Sequence, residues 1–566
     1  MDKRMIIFES HLINILLLIL LSYVLFMFGN NLVSLTHPDE VFYAETAKEM
    51  IRHNNWLVPM IFDSPQFEKP IGFYFLLVLA IKLFGLTPFA IRFWPAIFAV
   101  FGVIAAYFIS WLLFGKKRLS FLSGLILASS FIYLALSRAG LTDMVFSILV
   151  VISIGFFYLS YKDPGKRGLG IILSSVFCSL AVLTKGLLGI SFLFGTAFIF
   201  LLYAKGFGFY LRNKIFYLAI LLFAVLTVPW HLYMIKLYGA SFIDIYWQNV
   251  HVERLFVSEH PKINTWYFYP GLMFAGVTPW LFLSLPAWYY FFKELIIEKK
   301  KELFFLLAWI AGVFIFVQPA QSKLSSYIFP VYPAIAIIIA FYLDKFLDNA
   351  DKKEFLLPFK ISGFLLSFVF LAGSLVVIFF SGKYPLIFPD KGPFYIVSLI
   401  FSIIGAILLI FNIARKYQAL IFSHTLVTFA FLFILLMIRP QLEPWVSCKD
   451  VCDRFQEIDK SKSVVLASKF YVRGVRYYTD RSVAVMDIGG KGFYTPHPIP
   501  FLNTKDKILD FLSSQEITYA ILKDGNVEDI KKILKDKPYT VEELYSIGGK
   551  YILRIEKIPV FKKYSV

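Results

Sequence analysis

The chain has 566 residues, of which 58% are hydrophobic, 19% aromatic and only 17% charged, with a formal net charge of +18. That balance excludes a soluble globular chain and a disordered one, and defines a polytopic membrane protein. Lys and Arg stand in short clusters beside apolar runs, with no long basic tract or aromatic-basic module, so the charge reads as topology signal and nucleic-acid binding is not expected.

Apolar runs of roughly 20 residues, each sufficient for a bilayer helix, recur from Ile6 to Met437. Lipid leaves an open strand's backbone unpaired, so the spans are expected to be helices. The first run follows Lys3 and Arg4 and is trailed by no small-residue cleavage pattern, so it is expected to be an uncleaved anchor. A polar insert from His37 to Ile71 then packs acids, bases and aromatics between apolar segments. Further on, basic clusters fall at Lys116 to Arg118, Lys162 with Lys166 and Arg167, and Lys205 with Arg212 and Lys214. Others are Lys293 with Lys299 to Lys301, Lys352 with Lys353, and Arg415 with Lys416. Short cytoplasmic loops collect such residues. The alternation holds along the whole chain only if Ile71 to Gly85, a short run carrying Lys82, lies along the outer surface instead of crossing. The expected layout is a multi-pass α-helical membrane protein with about thirteen spans, N-terminus cytoplasmic and C-terminus outside.

Residues 1–439 form the expected membrane domain, with outer loop helices within 37–86, and 440–566 a soluble α/β domain outside. In the tail, Ser463 to Ala467, Ser482 to Val485, Thr518 to Leu522 and Tyr551 to Ile555 read as strands, and Lys505 to Ser513 and Val527 to Leu534 as helices. No nucleotide fingerprint occurs there. Cys178 lies in an apolar run and reads as a small buried hydrophobe, whereas Cys448 and Cys452 would both lie outside, where they either bridge or stay reduced. The membrane part shows no internal repeat, which weighs against a transporter.

The polar outer loops share one face and supply the candidates for chemistry. They bring Asp39, Glu40, Glu68 and Lys69, then Arg138 and Asp143, then His251, Glu253, Arg254 and His260, then Lys323 and Tyr327. An ionisable group at mid-membrane costs about 2.5–3.5 kcal/mol on insertion scales, so a concentration on one boundary suggests function. Bland readings stand beside these. Arg92, Lys82 and Lys236 read as snorkelling anchors. Asp143, after Thr142, is equally a helix N-cap, and Lys185 in TKG is either a site residue or part of a tight turn.

Several stretches carry a family resemblance. PDEVFYAETAKEM, NNWLVPMIFDSPQFEKPIGFY and KLFGLTPFAIRFWPA, then RAGLTDMVF, LAVLTKG, NVHVERLF and SKLSSYIFPVYP, resemble a bacterial GT-C glycosyltransferase of the aminoarabinose transferase type, related to protein O-mannosyltransferases. The resemblance implies about thirteen transmembrane helices, juxtamembrane helices in the first outer loop and a soluble outer domain. It also implies sugar transfer from a polyprenyl-phosphate carrier, in the bacterial inner membrane, to lipid A or another glycolipid. Breaking the C1–O bond builds oxocarbenium character on the sugar and negative charge on the departing phosphate, which fixed cations must meet. By resemblance Lys69 contacts that phosphate, with Arg254, Lys323 and Tyr327 as helpers. Asp39, with Glu40 in the same motif, marks the acceptor side, as general base for an alcohol or as an orienting group if the acceptor is a phosphate. Asp143 is the second carboxylate, Tyr43 and Arg138 are assigned to substrate, and Glu68 with His251 matches positions able to hold a divalent metal.

The pattern departs from the family at two places. Where aminoarabinose transferases read DExRY this chain reads DEVFY, with Phe42 in place of a cation, and EKPP has become EKPI, ending at Ile71. The reaction class is therefore carried more firmly than the substrate. A protein O-mannosyltransferase-like enzyme is the rival within the class, and a lipid or solute transporter the rival outside it.

Overall fold

The computed structural model describes residues 10–258, 261–380, 391–493 and 495–558, without the side chains of His251 and Lys262. The chain divides into two compact units: Met1–Asn30, Lys69–Leu76 and Arg92–Met437 form one, and Asn31–Glu68, Leu77–Ile91 and Ile438–Val566 the other.

The first unit is helical. Among the described residues eight helices are long and apolar enough to cross a membrane, and nine if Lys117–Ala128 and Phe131–Ser137, bent by 64° at their junction, make one span. The expected count of about thirteen is reached only if His11–Phe26, Leu188–Ala204, Leu281–Glu298 and Lys301–Val317 cross as well. The span Ser325–Asp348 is 89% buried inside the protein and Lys214–Tyr238 only 17%, which separates a central helix from a peripheral one. Ile71–Phe84 is a 14-residue helix, ended by Gly85 at φ 75, a left-handed turn that suits glycine.

The basic loops gather at one end of the bundle. Lys301 Nζ donates to the Tyr161 hydroxyl at 2.9 Å, Tyr203 to the Lys299 carbonyl at 2.9 Å, and Lys162 to the Leu113 carbonyl at 3.1 Å. Lys116 and Arg118 meet Asp344 at 2.8 and 2.6 Å, and Lys293 lies 3.6 Å from Glu354. These pairings join loops that alternation had assigned to a common side.

The second unit is built on a six-stranded sheet. Numbered in chain order, β1 is Met60–Ile61, β2 Ser64–Pro65, β3 Val465–Ser468, β4 Val483–Met486, β5 Phe501–Leu502, β6 Ile517–Lys523, β7 Tyr539–Ile547 and β8 Lys550–Lys557. The short β1 and β2 pair with each other; the main sheet runs β5-β4-β3-β6-β8-β7. Its first four strands are parallel neighbours and the last two antiparallel. Every residue of β3 and β4 is buried, as expected of parallel strands covered on both faces. Leu466, Met486, Ile508, Leu522, Ile530 and Leu553 join in its core. The insert folds with this sheet domain: Asp39–Arg52 packs on Val472–Thr479, and Thr36 bridges Ser447. All three cysteines are free and buried.

Candidate active site

In the membrane unit, residues far apart in sequence converge on one buried carboxylate. Asp143 stands in the first turn of Thr142–Lys162, where a negative charge suits the helix dipole. It is not the N-cap, which is Leu141, so the capping alternative falls. Its side chain is turned to a neighbouring helix end. Lys185 closes Arg167–Lys185, where Gly186 takes φ 98 and turns the chain into Leu188–Ala204. The Lys185 ammonium donates to Asp143 Oδ1 at 2.7 Å, with side chains only 7% and 12% exposed. The same ammonium lies 4.8 Å from the Tyr327 ring centroid, a cation–π contact. Ser326 hydrogen-bonds Asp143, and the Lys69 ammonium adds to the field there.

Arg254 follows the π-helical turns of Ile243–Glu253, and its Nη1 donates to the Tyr327 hydroxyl at 3.4 Å. Backbone bonds hold the two loops in register: Ser322 N–H to the Arg254 carbonyl at 3.1 Å, and Gln321 N–H to that of Leu255 at 3.2 Å. Lys69, Asp143, Arg254 and Tyr327 are thus brought together with Lys185, whose place in the sequence had been ambiguous. The Asp143 carboxylate thus has the ammoniums of Lys185 and Lys69 in its field, and the Arg254 guanidinium joins them through Tyr327.

Two other predicted residues of this unit are engaged elsewhere. Lys323 donates to the carbonyls of Gln318 and Ala320, both at 2.8 Å, and burial draws its ammonium below the usual lysine range. Arg138 Nη1 donates to the carbonyls of Leu25 and Phe28 at 3.0 and 2.9 Å. The His251 side chain and all of His260 lie outside the described residues.

In the second unit Asp39 opens Asp39–Arg52 and is exposed. Glu40, 3% exposed, accepts from Thr36 N–H and Oγ1, both at 2.9 Å, and so fixes the turn that presents Asp39. Phe42 and Tyr43 are buried edge to face. Arg473, from Val472–Thr479, lays its guanidinium 4.3 Å from the Phe42 centroid and brings Nη2 within 3.8 Å of Glu68. Its Nε is buried without a hydrogen-bond partner. A cation missing at position 42 is therefore supplied over that ring from 431 positions further along. No local signal in VRGVRYY could have revealed it. A guanidinium already neighbours Glu68, which does not suit a divalent metal there.

The remaining charges of the insert do structural work. Arg476 reaches Glu45 at 3.3 Å, Glu49 at 3.1 Å and Asp63 at 2.6 Å, while Lys48 and Arg52 reach Asp480 at 2.7 and 2.5 Å. Glu49, His53 and Asp63 form the one metal-type cluster among the described residues, but Arg476 holds both of its carboxylates. Burial above all pushes the Glu45 carboxyl up to about 7, and burial pushes His497 down to about 4.

Comparison with known proteins gives this arrangement a class. Residues 11–245 match the family described as dolichyl-phosphate-mannose-protein mannosyltransferase. The crystal structure of ArnT from Cupriavidus metallidurans bound to undecaprenyl phosphate superposes with a TM-score of 0.77 at 17% identity, over 96% of this chain and 98% of that one. The protein is a membrane glycosyltransferase with the GT-C fold. An undecaprenyl phosphate-alpha-4-amino-4-deoxy-L-arabinose arabinosyl transferase of Proteus mirabilis is 27% identical over 400 residues, 70% of this chain and 71% of its own. Its counterpart in Yersinia enterocolitica is 28% identical over 313 residues, 54% of this chain and 55% of its own. The expected resemblance and fold class are both borne out, and the glycosyltransferase resides in the inner membrane.

Proposed function

We propose that this glycosyltransferase moves a sugar, of the 4-amino-4-deoxy-L-arabinose type, from an undecaprenyl-phosphate carrier to lipid A or another glycolipid on the extracytoplasmic side. The observation that carries this reading is the gathering of Lys69, Lys185 and, through Tyr327, Arg254 at Asp143. Three cationic side chains gathered at one polar site of a membrane bundle suit an anionic phosphate better than a neutral solute.

As the C1–O bond breaks, its electron pair goes to the carrier phosphate, and Lys69 with Arg254 stabilises the charge that develops. Tyr327 orients Arg254, while Asp143 fixes Lys185 and keeps the cluster from repelling itself. Lys323 retains donor capacity toward the phosphate but mainly braces its loop, as Arg138 braces another. Asp39 takes the acceptor side. It removes the proton of an attacking alcohol, or orients the amino sugar when the attacking group is already a phosphate. Tyr43 is assigned to substrate on the same reading, and Glu40 holds the turn that presents Asp39.

The test incubates purified full-length protein in lipid nanodiscs with undecaprenyl-phosphate aminoarabinose, offering lipid A and Ser/Thr peptides as acceptors, and reads products by mass spectrometry. The expected result is lipid A carrying the sugar. Transfer to peptide alone would convert the reading to a protein glycosyltransferase, and carrier-sugar movement without any transfer would make the protein a transporter.

A further inference from the structure

A cavity of about 480 Å³ lies in the membrane unit among Thr142–Lys162, Arg167–Lys185, Leu188–Ala204, the short helix Phe207–Leu211 and Lys214–Tyr238. That volume falls in the ~300–1,000 Å³ range of small-ligand sites. Its floor is buried, with Phe157, Cys178 and Ala219 each under a tenth exposed, and its mouth carries outward-facing Phe194, Phe198 and Ile220. The polar groups in the wall are already spent. Ser160 pairs with the Tyr210 hydroxyl at 2.7 Å, Ser175 donates to the Ala219 carbonyl at 2.6 Å, and Ser174 lies 3.3 Å from Ser153 Oγ. An occupant therefore meets hydrocarbon and aromatic surface, and a membrane-facing mouth admits it from the bilayer.

The cavity is separate from the transfer site. Ser160 stands at the far end of the helix that begins beside Asp143, about 25 Å away at the helical rise. This end is the basic one. Arg167 starts the next helix and stacks its guanidinium 3.4 Å from the centroid of Phe209, on the short helix that supplies Phe207, Tyr210 and Leu211 to the wall. Arg167 Nε is buried without a hydrogen-bond partner. Lys205, Arg212 and Lys214 are exposed on either side of that short helix, and Asp163 accepts from the N–H groups of Gly165 and Lys166. An apolar slot with a basic rim at the membrane boundary matches a lipid chain under a negatively charged headgroup.

We propose that this cavity binds one acyl chain of an anionic glycerophospholipid, whose headgroup phosphate meets Arg167 and Arg212 at the rim. The leaflet is the one on the side of the basic loops, opposite the transfer site. Charge selects this occupant over the carrier, whose phosphate belongs at the other end of the same helices.

Full-length protein in neutral detergent, titrated with dioleoyl phosphatidylglycerol, dioleoyl phosphatidylcholine or undecaprenyl phosphate, tests this by counting retained lipids with native mass spectrometry. Phosphatidylglycerol should be retained at about tenfold lower concentration than phosphatidylcholine. Ala197→Trp, which fills the cavity, should abolish that retention, and the double variant Arg167→Gln/Arg212→Gln, which leaves the cavity intact, should erase the preference. Equal retention of the two phospholipids by the unaltered protein overturns the proposal, as does retention indifferent to both changes. Displacement of phosphatidylglycerol by undecaprenyl phosphate, lost again in Ala197→Trp, would hand the cavity to the carrier tail and equally overturn it.

Discussion

Two charge clusters, one in each unit, use the same side-chain chemistry to opposite ends. Around Asp143 three cationic side chains gather: Lys185 on the carboxylate itself, Lys69 in its field, and Arg254 through the Tyr327 hydroxyl. Around Arg476 the stoichiometry is reversed: Glu45, Glu49 and Asp63 surround one guanidinium, and the network is closed by mutual pairing. Cations gathered at a polar site of the membrane unit suit an incoming anion, whereas Lys48 and Arg52 join Arg476 among the acids and Glu45 keeps its proton up to about 7, so that network serves the fold. The density of charge in a sequence therefore does not identify a site; the company each charge keeps in space does.

The contrast is sharpest in buried pairs. Lys185→Met would strand Asp143, and Arg476→Met would strand Glu45 and Glu49. Each should cost about 3–5 kcal/mol, measured as lost thermal stability of the full-length protein. Asp143→Asn combined with Lys185→Met should recover most of that stability without recovering transfer. If the double variant transfers sugar normally, the first cluster is structural like the second.

Next in size is Lys69→Ala. Removing a cation from the developing phosphate charge should lower transfer about 10²–10³-fold with the melting temperature nearly unchanged. Arg473→Ala should be milder, about tenfold, and should appear in the acceptor dependence. An unchanged acceptor dependence would leave Arg473 a mere brace between Phe42 and Glu68.

The smallest effect is one of pH. Glu45, held at about 7, keeps a proton that the unfolded chain has already lost above its ordinary value near 4.5. Its contribution is full below that ordinary value and disappears as pH rises through 7. Lowering the pH from 8 to 6.5 should therefore raise the melting temperature by about 1–4 °C, and Glu45→Gln should flatten that rise. Below 6.5 the sign reverses in part, because burial holds His37 near 3 and His497 near 4, so that the unfolded chain takes up protons the folded one refuses.

The tail strands at Val465–Ser468, Val483–Met486, Ile517–Lys523 and Lys550–Lys557 lie within a few residues of their expected places, and Lys505–Ser513 matches its prediction. Buried strands of β-branched residues between polar turns announce themselves locally. Tyr539–Ile547 escaped notice because its strand is half exposed and shows no apolar alternation. The helix carrying Arg473 and Arg476 escaped too, since its partners lie in the insert, more than 400 positions away.

Composition and periodicity by themselves determined that this chain lives in a membrane, that its apolar runs are helices and that an α/β domain ends it. Lipid tolerates few other backbones, and burial imprints its period on the residues it covers. The motifs that resemble the aminoarabinose transferases pointed to the reaction class. Only the tertiary structure decided which charges meet: that Arg476 reaches Glu45 and Glu49, that Lys185 reaches Asp143, and that Arg473 covers Phe42. Electrostatic pairing depends on distance in space, and no periodicity along the chain records it.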